Sequence, residues 1–119
     1  MGYRSDVALA LKTADFNMLL KKSKEQRPDV YDLIQEAKIF ANEDFITIYW
    51  EWVKWYDFEP DIAYIEEFKA HTEHQFHKIG ENYEDYEYTS KGESIHSCIQ
   101  FVRRLDILGK EVNLKEVLA

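Results

Sequence analysis

One stretch, Phe45 to Tyr56, constrains the fold of this chain more than any other. It reads F-I-T-I-Y-W-E-W-V-K-W-Y and holds all three tryptophans together with the densest run of β-branched residues. Such residues favour a pleated and largely covered strand, whose side chains alternate between two faces. The face that we expect to be core comprises Ile46, Ile48, Trp50 and Trp52. The opposite face comprises Thr47, Tyr49, Glu51, Val53 and Trp55.

The opposite face mixes aromatic rings with a carboxylate. It therefore fits three roles: a half-covered surface, a surface for a partner, or a floor beneath a terminal segment. The predicted helices are too few to cover both faces of a sheet. We therefore take Tyr49, Glu51 and Trp55 as candidate partner-binding residues.

The chain before this stretch predicts a strand and a broken helical region. Tyr3 to Leu11 alternates as a strand does, and its small Ala8 and Ala10 leave room for a neighbour's large rings, either Tyr49 or Trp55. Thr13 is a candidate N-cap for a helix that runs to about Ser23. Pro28 opens a second helix, so the helical region is broken near Arg27.

The one basic cluster of the chain lies at this break. It complements the negative end of a helix dipole, with a phosphate or acidic-partner site as the alternative. The cluster consists of Lys21, Lys22, Lys24 and Arg27.

Two hairpins and a long helix are predicted further along. Ala37 to Ala41 is a short strand that a turn at Asn42 to Asp44 joins to the aromatic stretch. Apolar residues then recur at spacings of three and four from Pro60, and Gly80 stands where a C-terminal glycine cap would, which predicts one helix over this region. Glu81 to Thr89 and Ile95 to Ile107 predict a second hairpin.

A short amphipathic helix over Val112 to Leu118 completes the predicted order. The sequence therefore predicts an α+β fold as one domain over residues 1–119. We expect a mostly antiparallel sheet of about five strands with helices on one face, in the ferredoxin-like order β-α-β-β-α-β-β.

The charge balance narrows the classes of partner. The 15 basic and 23 acidic residues give a formal net charge of -8, which argues against a protein that binds nucleic-acid backbones directly and suits a basic partner. The single cysteine, Cys98, fits a reducing compartment and reads as a buried, inert thiol. With neither a signal-peptide pattern nor a membrane-length apolar run, the expected location is the cytoplasm.

Three histidines, His71, His74 and His77, are spaced by three along the predicted long helix. This spacing places them near one another, so a metal site is conceivable. The face that carries them is opposite the apolar stripe of that helix, so we expect solvated side chains without hydrogen-bond partners to orient a metal ligand, and no metal.

The run E-N-Y-E-D-Y-E-Y alternates rings with carboxylates. A strand of this kind presents carboxylates to the lysines and arginines of a partner, with tyrosines as anchors. An edge strand protected from aggregation by its charges is the structural alternative. The candidate partner-binding residues here are Tyr83, Glu84, Asp85, Tyr86, Glu87 and Tyr88.

Enzyme signatures are lacking. The sequence has no glycine-rich phosphate loop, no serine elbow and no zinc-protease histidine pair. We therefore expect neither catalysis nor a cofactor.

The opening residues M-G-Y-R-S-D-V-A, Met1 to Ala8, resemble the start of small tailed-bacteriophage proteins of unassigned function. The resemblance covers the first predicted strand only, and it carries no residue roles. It implies a small protein made in an infected bacterium, and many such proteins bind and inhibit host factors.

Taken together, these patterns favour a non-enzymatic protein that binds a basic surface of a host protein, such as a nucleic-acid-processing or defence factor. Two alternatives stay open. A small-molecule or nucleotide binder would stack a ring on Trp50, Trp52 or Trp55 and hold an anion with Arg103, Arg104 or the basic cluster. A homo-oligomer, such as a homodimer, would pair exposed strand edges.

Overall fold

The computed structural model describes residues 2–82, 84–92, 99–101 and 105–118. Its main feature is a six-stranded antiparallel sheet in the order β5-β4-β1-β3-β2-β8, beside a separate two-stranded sheet of β6 and β7. The strands are β1 (Ser5–Lys12), β2 (Lys38–Asn42), β3 (Phe45–Val53), β4 (His74–Gly80), β5 (Tyr86–Lys91), β6 (Ile99–Phe101), β7 (Leu105–Ile107) and β8 (Lys110–Val112). The helices are α1 (Thr13–Gln26), α2 (Pro28–Gln35), α3 (Pro60–Ala70) and α4 (Leu114–Leu118).

The α+β class with an antiparallel sheet is confirmed, but the sheet has six strands where about five were predicted. Two of the six strands, β4 and β8, were not predicted as strands, and β8 pairs with β2 from Ile39 to Ala41. The break between the first two helices is also confirmed, because Pro28 lacks the N–H that would continue α1. The predicted N-cap is wrong: Lys12 occupies the N-cap position, and the Thr13 hydroxyl donates to the Asp44 carbonyl instead.

The core lies between the sheet and the helices. On β1, Val7, Leu9 and Leu11 face the helices and are fully buried. They pack in one cluster with the apolar residues of α1, α2 and α3, and with neighbouring strands. The other members on the strands are Ile39, Ile46, Ile48, Trp50 and Phe76.

A β-bulge changes the faces of the aromatic strand at its far end. Ser5 pairs with Val53 while Val7 pairs with Trp50, so β3 uses one more residue than β1 in this interval. The bulged residue Trp52 has a positive φ of 56°, and it is 55% exposed rather than part of the core as predicted. Trp55, expected on the partner face, is 4% exposed and belongs to the helix-side core.

The predicted long helix is wrong in its second half. α3 ends at Ala70, and the following chain forms β4, which pairs with β1 over its full length. The Thr72 hydroxyl donates to the Phe68 carbonyl, so a side chain bonds the last turn of the helix. Because β1 is central and needs a strand on each side, sheet pairing outweighs the helical spacing. Gly80 therefore ends a strand and is not a helix cap.

The second predicted hairpin is also different. β5 pairs with β4, whereas Ile99 to Ile107 is not one returning strand, since β6 and β7 pair with each other and bring Ile99 opposite Ile107. Ile99 packs on Ala8 and Ala10, on the face of β1 opposite the helices. Of the three roles expected for the second face, a half-covered surface applies around the alanines, where the covering residue Ile99 belongs to β6 and not to a terminal segment. Ala8 pairs with Tyr49, as one of the two alternatives predicted.

Candidate interaction surface

Strand β5 lies at the outer edge of the six-stranded sheet. Among the described residues, β4 is its sole strand neighbour. Five of its six residues are exposed. Tyr88 is 48% exposed and Tyr86 is 37% exposed, so this edge presents two aromatic rings to solvent.

A buried histidine holds the two tyrosines of β5. His77 pairs with Tyr88 across the strands, and their ring centroids are 4.7 Å apart. His77 Nδ1 lies 2.5 Å from the Tyr86 hydroxyl oxygen, and His77 Nε2 lies 3.2 Å from Gln75 Nε2. Both ring nitrogens of His77 are therefore within hydrogen-bonding distance of a polar side chain, and the tautomer of the imidazole sets the direction of each bond. The imidazole thereby fixes the position of the Tyr86 ring.

Burial determines the protonation of this group. It lowers the pKa of His77 to about 4, so the imidazole is neutral at neutral pH. Burial, with a smaller contribution from Tyr88, raises the pKa of Tyr86. A tyrosine with a raised pKa is a hydrogen-bonding anchor rather than an activated nucleophile.

Acidic side chains surround this edge. Glu84, Asp85 and Glu87 are exposed, and Glu87 forms an ion pair with Lys78 at 3.5 Å. Asp85 accepts a hydrogen bond of 2.5 Å from the Tyr3 hydroxyl, which is the first cause of a raised pKa of Tyr3. The turn that carries the carboxylates is thereby tied to the start of the chain.

The sequence-predicted partner residues fall into two groups. The structure brings Glu84, Asp85, Tyr86, Glu87 and Tyr88 together on or beside β5, whereas Tyr83 lies outside the described residues.

The three candidates on β3 are separated from this group. Tyr49 is half-buried on the second face and packs against the alanine cluster. Glu51 is exposed and forms an ion pair with Lys38 at 2.6 Å. The prediction that Trp55 lies on the partner-facing side of the strand is wrong. Its ring packs between Trp50 and Phe76, and its indole N–H donates to Glu66.

Two polar atoms beneath the second face lack a hydrogen-bond partner in the described part of the chain. They are Thr47 Oγ1 and Gln75 Oε1, on residues that are 1% and 6% exposed. Both residues pair with Ala10, one from each neighbouring strand. Within the described residues, this face therefore carries buried polar groups where the helix-side face is mainly apolar.

The expectation of solvated histidines is wrong for two of the three. His71 is exposed just after α3, but His74 and His77 are buried on opposite faces of β4. His74 makes contacts of 3.0 Å with the Thr72 carbonyl and 3.3 Å with the Thr89 hydroxyl, and burial lowers its pKa. Within residues 2–82, 84–92, 99–101 and 105–118, no group of three or more His, Cys, Asp or Glu is arranged to hold a metal ion.

The basic cluster remains a helix-end feature. Its three lysines are exposed, while Arg27 donates to both carboxylate oxygens of Asp29 and lies 4.9 Å from the Tyr64 ring centroid. Arg27 therefore braces the junction of α1 and α2. The predicted anion-holding residues Arg103 and Arg104, and the predicted inert thiol of Cys98, lie outside the described residues.

Trp52 is the surface residue that sequence reasoning missed. Alternation placed it in the core, and no glycine or asparagine marks the position as one that needs a positive φ. The signal that could have found it was the pair Arg4, just before β1, and Asp6, within β1, because these side chains bond the Trp52 backbone.

Among the helices of the described residues, none is long and apolar enough to cross a membrane. Comparison of the chain with protein-family models, with curated proteins and with solved structures found no match.

Proposed function

We propose that this chain is a small acidic, phage-encoded interaction protein, and not an enzyme, that binds a host protein and thereby inhibits it. The partner presents a basic surface, as nucleic-acid-processing enzymes and nucleic-acid-directed defence factors do. The phage origin rests on the resemblance of Met1 to Ala8. The mode of binding rests on strand β5.

The observation that carries this proposal is an edge strand with exposed rings and carboxylates side by side. Tyr86 and Tyr88 supply large rigid contact area at a low entropic cost, since His77 already orders them. Glu84, Asp85 and Glu87 supply the charge that speeds encounter with a basic surface and selects against acidic partners.

Affinity capture from a bacterial lysate tests the proposal. Glu84→Lys/Glu87→Lys reverses charge beside β5, and Glu25→Lys/Glu67→Lys makes the same charge change on exposed positions of α1 and α3. We expect the helix variant to retain the partner captured by the wild type, and the β5 variant to lose it. Retention of every captured protein by the β5 variant would rule this surface out.

For the fold itself, we infer a ferredoxin-like arrangement in the inner four strands, extended at both edges. Its support is the order β4-β1-β3-β2, in which β3 lies between β1 and β2, and β1 lies between β3 and β4. Along the chain, α1 and α2 connect β1 to β2, and α3 connects β3 to β4, as in a split β-α-β unit. Such a fold hosts many functions, so it adds nothing to the choice of partner.

The ring-stacking alternative now has one candidate. Trp50 and Trp55 are buried in the core, so Trp52 alone of the three is available to a planar ligand. Quenching of tryptophan fluorescence by a nucleotide panel would support this second function, and an unchanged spectrum would exclude it.

A further inference from the structure

Trp52 is held in an unfavourable backbone conformation by its neighbours. A positive φ is strained for a bulky side chain and persists where the surroundings impose it. Asp6 Oδ1 accepts from the Trp52 N–H at 2.8 Å, and Arg4 Nη1 donates to the Trp52 carbonyl at 3.0 Å. Arg4 immediately precedes β1 and Asp6 lies within it, so the start of the chain imposes the bulge on β3.

The outcome of this strain is an exposed indole beside a small open cavity. The cavity has a volume of about 280 Å³ and is lined by Gly2, Arg4, Trp52 and Glu81. Its size is below the roughly 300–1,000 Å³ of pockets that hold drug-sized ligands. It suits one inserted side chain.

We propose that this cavity receives a lysine or arginine side chain from a basic segment of the partner. The cationic group lies over the Trp52 ring, the aromatic side chain that binds cations best, and pairs with the Glu81 carboxylate. The proposal rests on the proposed function, because it takes the basic partner from there and names the residue that anchors it.

Glu81 and the charge of the whole chain favour a cation over an anion. Glu81 lines the cavity, and Asp6 accepts from the Trp52 N–H. Arg4 is the cation among the described lining residues and already donates through Nη1 to the Trp52 carbonyl, and the Lys54 side chain lies near Gly2. The net charge of -8 repels an anionic ligand at longer range.

The described residues of the turn between β4 and β5 link the cavity to β5. Arg4 N–H donates to Glu81 Oε2 at 2.6 Å, and Tyr3 bonds to Asp85 in the same turn between β4 and β5. A single basic segment that runs along the turn would therefore meet Glu81 and Trp52 at one end and the β5 tyrosines at the other.

The test uses short dye-labelled peptides, one rich in lysine and arginine and one of matched length rich in glutamate, with binding followed by anisotropy. Trp52→Ala removes the ring, and Glu81→Gln removes one charge but keeps an oxygen that can accept from Arg4. Trp52→Phe is the second ring variant, which keeps an aromatic side chain if Trp52→Ala fails to fold by circular dichroism.

We expect the basic peptide to bind the wild type and to change the tryptophan emission, since Trp52 is the accessible indole. Trp52→Ala and Glu81→Gln should each weaken binding about tenfold, and Trp52→Phe should weaken it less, as expected for a contact between a cation and an aromatic face. The acidic peptide should not bind.

Equal binding of the basic peptide to the wild type, Trp52→Ala and Glu81→Gln would overturn the inference. If Glu84→Lys/Glu87→Lys abolishes that binding at the same time, the proposed function stands and only the cavity is wrong. Preference for the acidic peptide, or no binding of the basic peptide to the wild type, would overturn the inference as well, and the former would also contradict the proposed function.

Discussion

The two faces of the sheet are built from alternate residues of the same strands, yet they differ in kind. Toward the helices, β1 presents Val7, Leu9 and Leu11, all fully buried in an apolar cluster. Away from them it presents Ala8 and Ala10, flanked by polar side chains and covered in part by Ile99. The helix-side face supplies the apolar burial that drives folding, whereas the second face supplies the ordered rings of its edge.

This difference separates stability from recognition. A residue of the helix-side face is explained by packing alone, so it gives no information about function. The second face contains features that packing does not require: a histidine that fixes an exposed tyrosine, and buried polar atoms without partners in the described chain. Substitutions on the two faces should therefore change the free energy of unfolding by different amounts, and in one case in the opposite direction.

The largest effect should follow Phe76→Ala on the helix-side face. Phe76 is fully buried, with Trp55 at 6.2 Å and the Lys69 ammonium 3.7 Å from its ring centroid. We expect the free energy of unfolding to fall by about 3–5 kcal/mol in a urea titration. Tyr88→Ala on the exposed edge is the control and should cost less than about 1 kcal/mol. Equal losses at the two positions would contradict the division between the faces.

Ala10→Leu should have the next largest effect. Ala10 is fully buried beneath Ile99, and the larger side chain would push the β6–β7 pair away from the sheet. The expected loss is about 1–3 kcal/mol by the same titration. An unchanged stability would show that this hairpin does not pack on the alanines.

A pH-dependent loss of folding stability should arise from His77. Its pKa is about 4 in the folded protein against an ordinary value of 6.5, so the unfolded state takes up the proton first as pH falls. The stabilising contribution is therefore complete above pH 6.5 and is lost as pH falls toward 4, and it amounts to about 1–2 kcal/mol between about pH 7 and about pH 5.

His77→Gln is the comparison for this prediction. It removes the titrating group, so the free energy of unfolding should fall by about 1–2 kcal/mol less in this variant than in the wild type between about pH 7 and about pH 5. An identical pH dependence in the variant would assign the effect to other groups, of which His74, with its lowered pKa, is the first.

The smallest expected effect has the opposite sign. Thr47→Val replaces a buried hydroxyl that has no partner in the described residues by a methyl group of the same shape, which should stabilise the protein by up to about 1 kcal/mol. In Thr72→Val the lost hydroxyl does have a partner, the Phe68 carbonyl at 3.0 Å, so this variant should lose stability. A clear loss in Thr47→Val would mean that the Thr47 hydroxyl has a hydrogen-bond partner after all.

The sequence predicted those elements whose local signals agree with the final packing. Alternation located β1, β2 and the start of β3, and Pro28 marked the helix break. The second half of the predicted long helix failed because Phe68, Thr72 and Phe76 fit a helical spacing, while β1 required a strand there. Local spacing holds no information on that requirement.

The candidate site was predicted in part for a related reason. The alternation of tyrosine and carboxylate identified β5 without knowledge of its neighbours. The faces of Trp52 and Trp55 were both wrong. The bulge at Trp52 turns that indole out of the core, and Trp55 lies beyond the end of β3 at Val53, where strand alternation no longer applies. That bulge is imposed by Arg4 and Asp6 at the start of the chain, so it has no signature in the aromatic stretch itself.

The indole N–H signals of the three tryptophans offer the most direct test of the account in a two-dimensional nitrogen–proton NMR spectrum. Trp50 and Trp55 donate to Leu33 and Glu66 inside the helix-side region, whereas Trp52 stands at the surface. On addition of the basic peptide, we expect the Trp52 signal, assigned with Trp52→Phe, to shift while the signals of Trp50 and Trp55 stay in place. A shift of the Trp50 or Trp55 signal with Trp52 unchanged would contradict it and place recognition on the helical side.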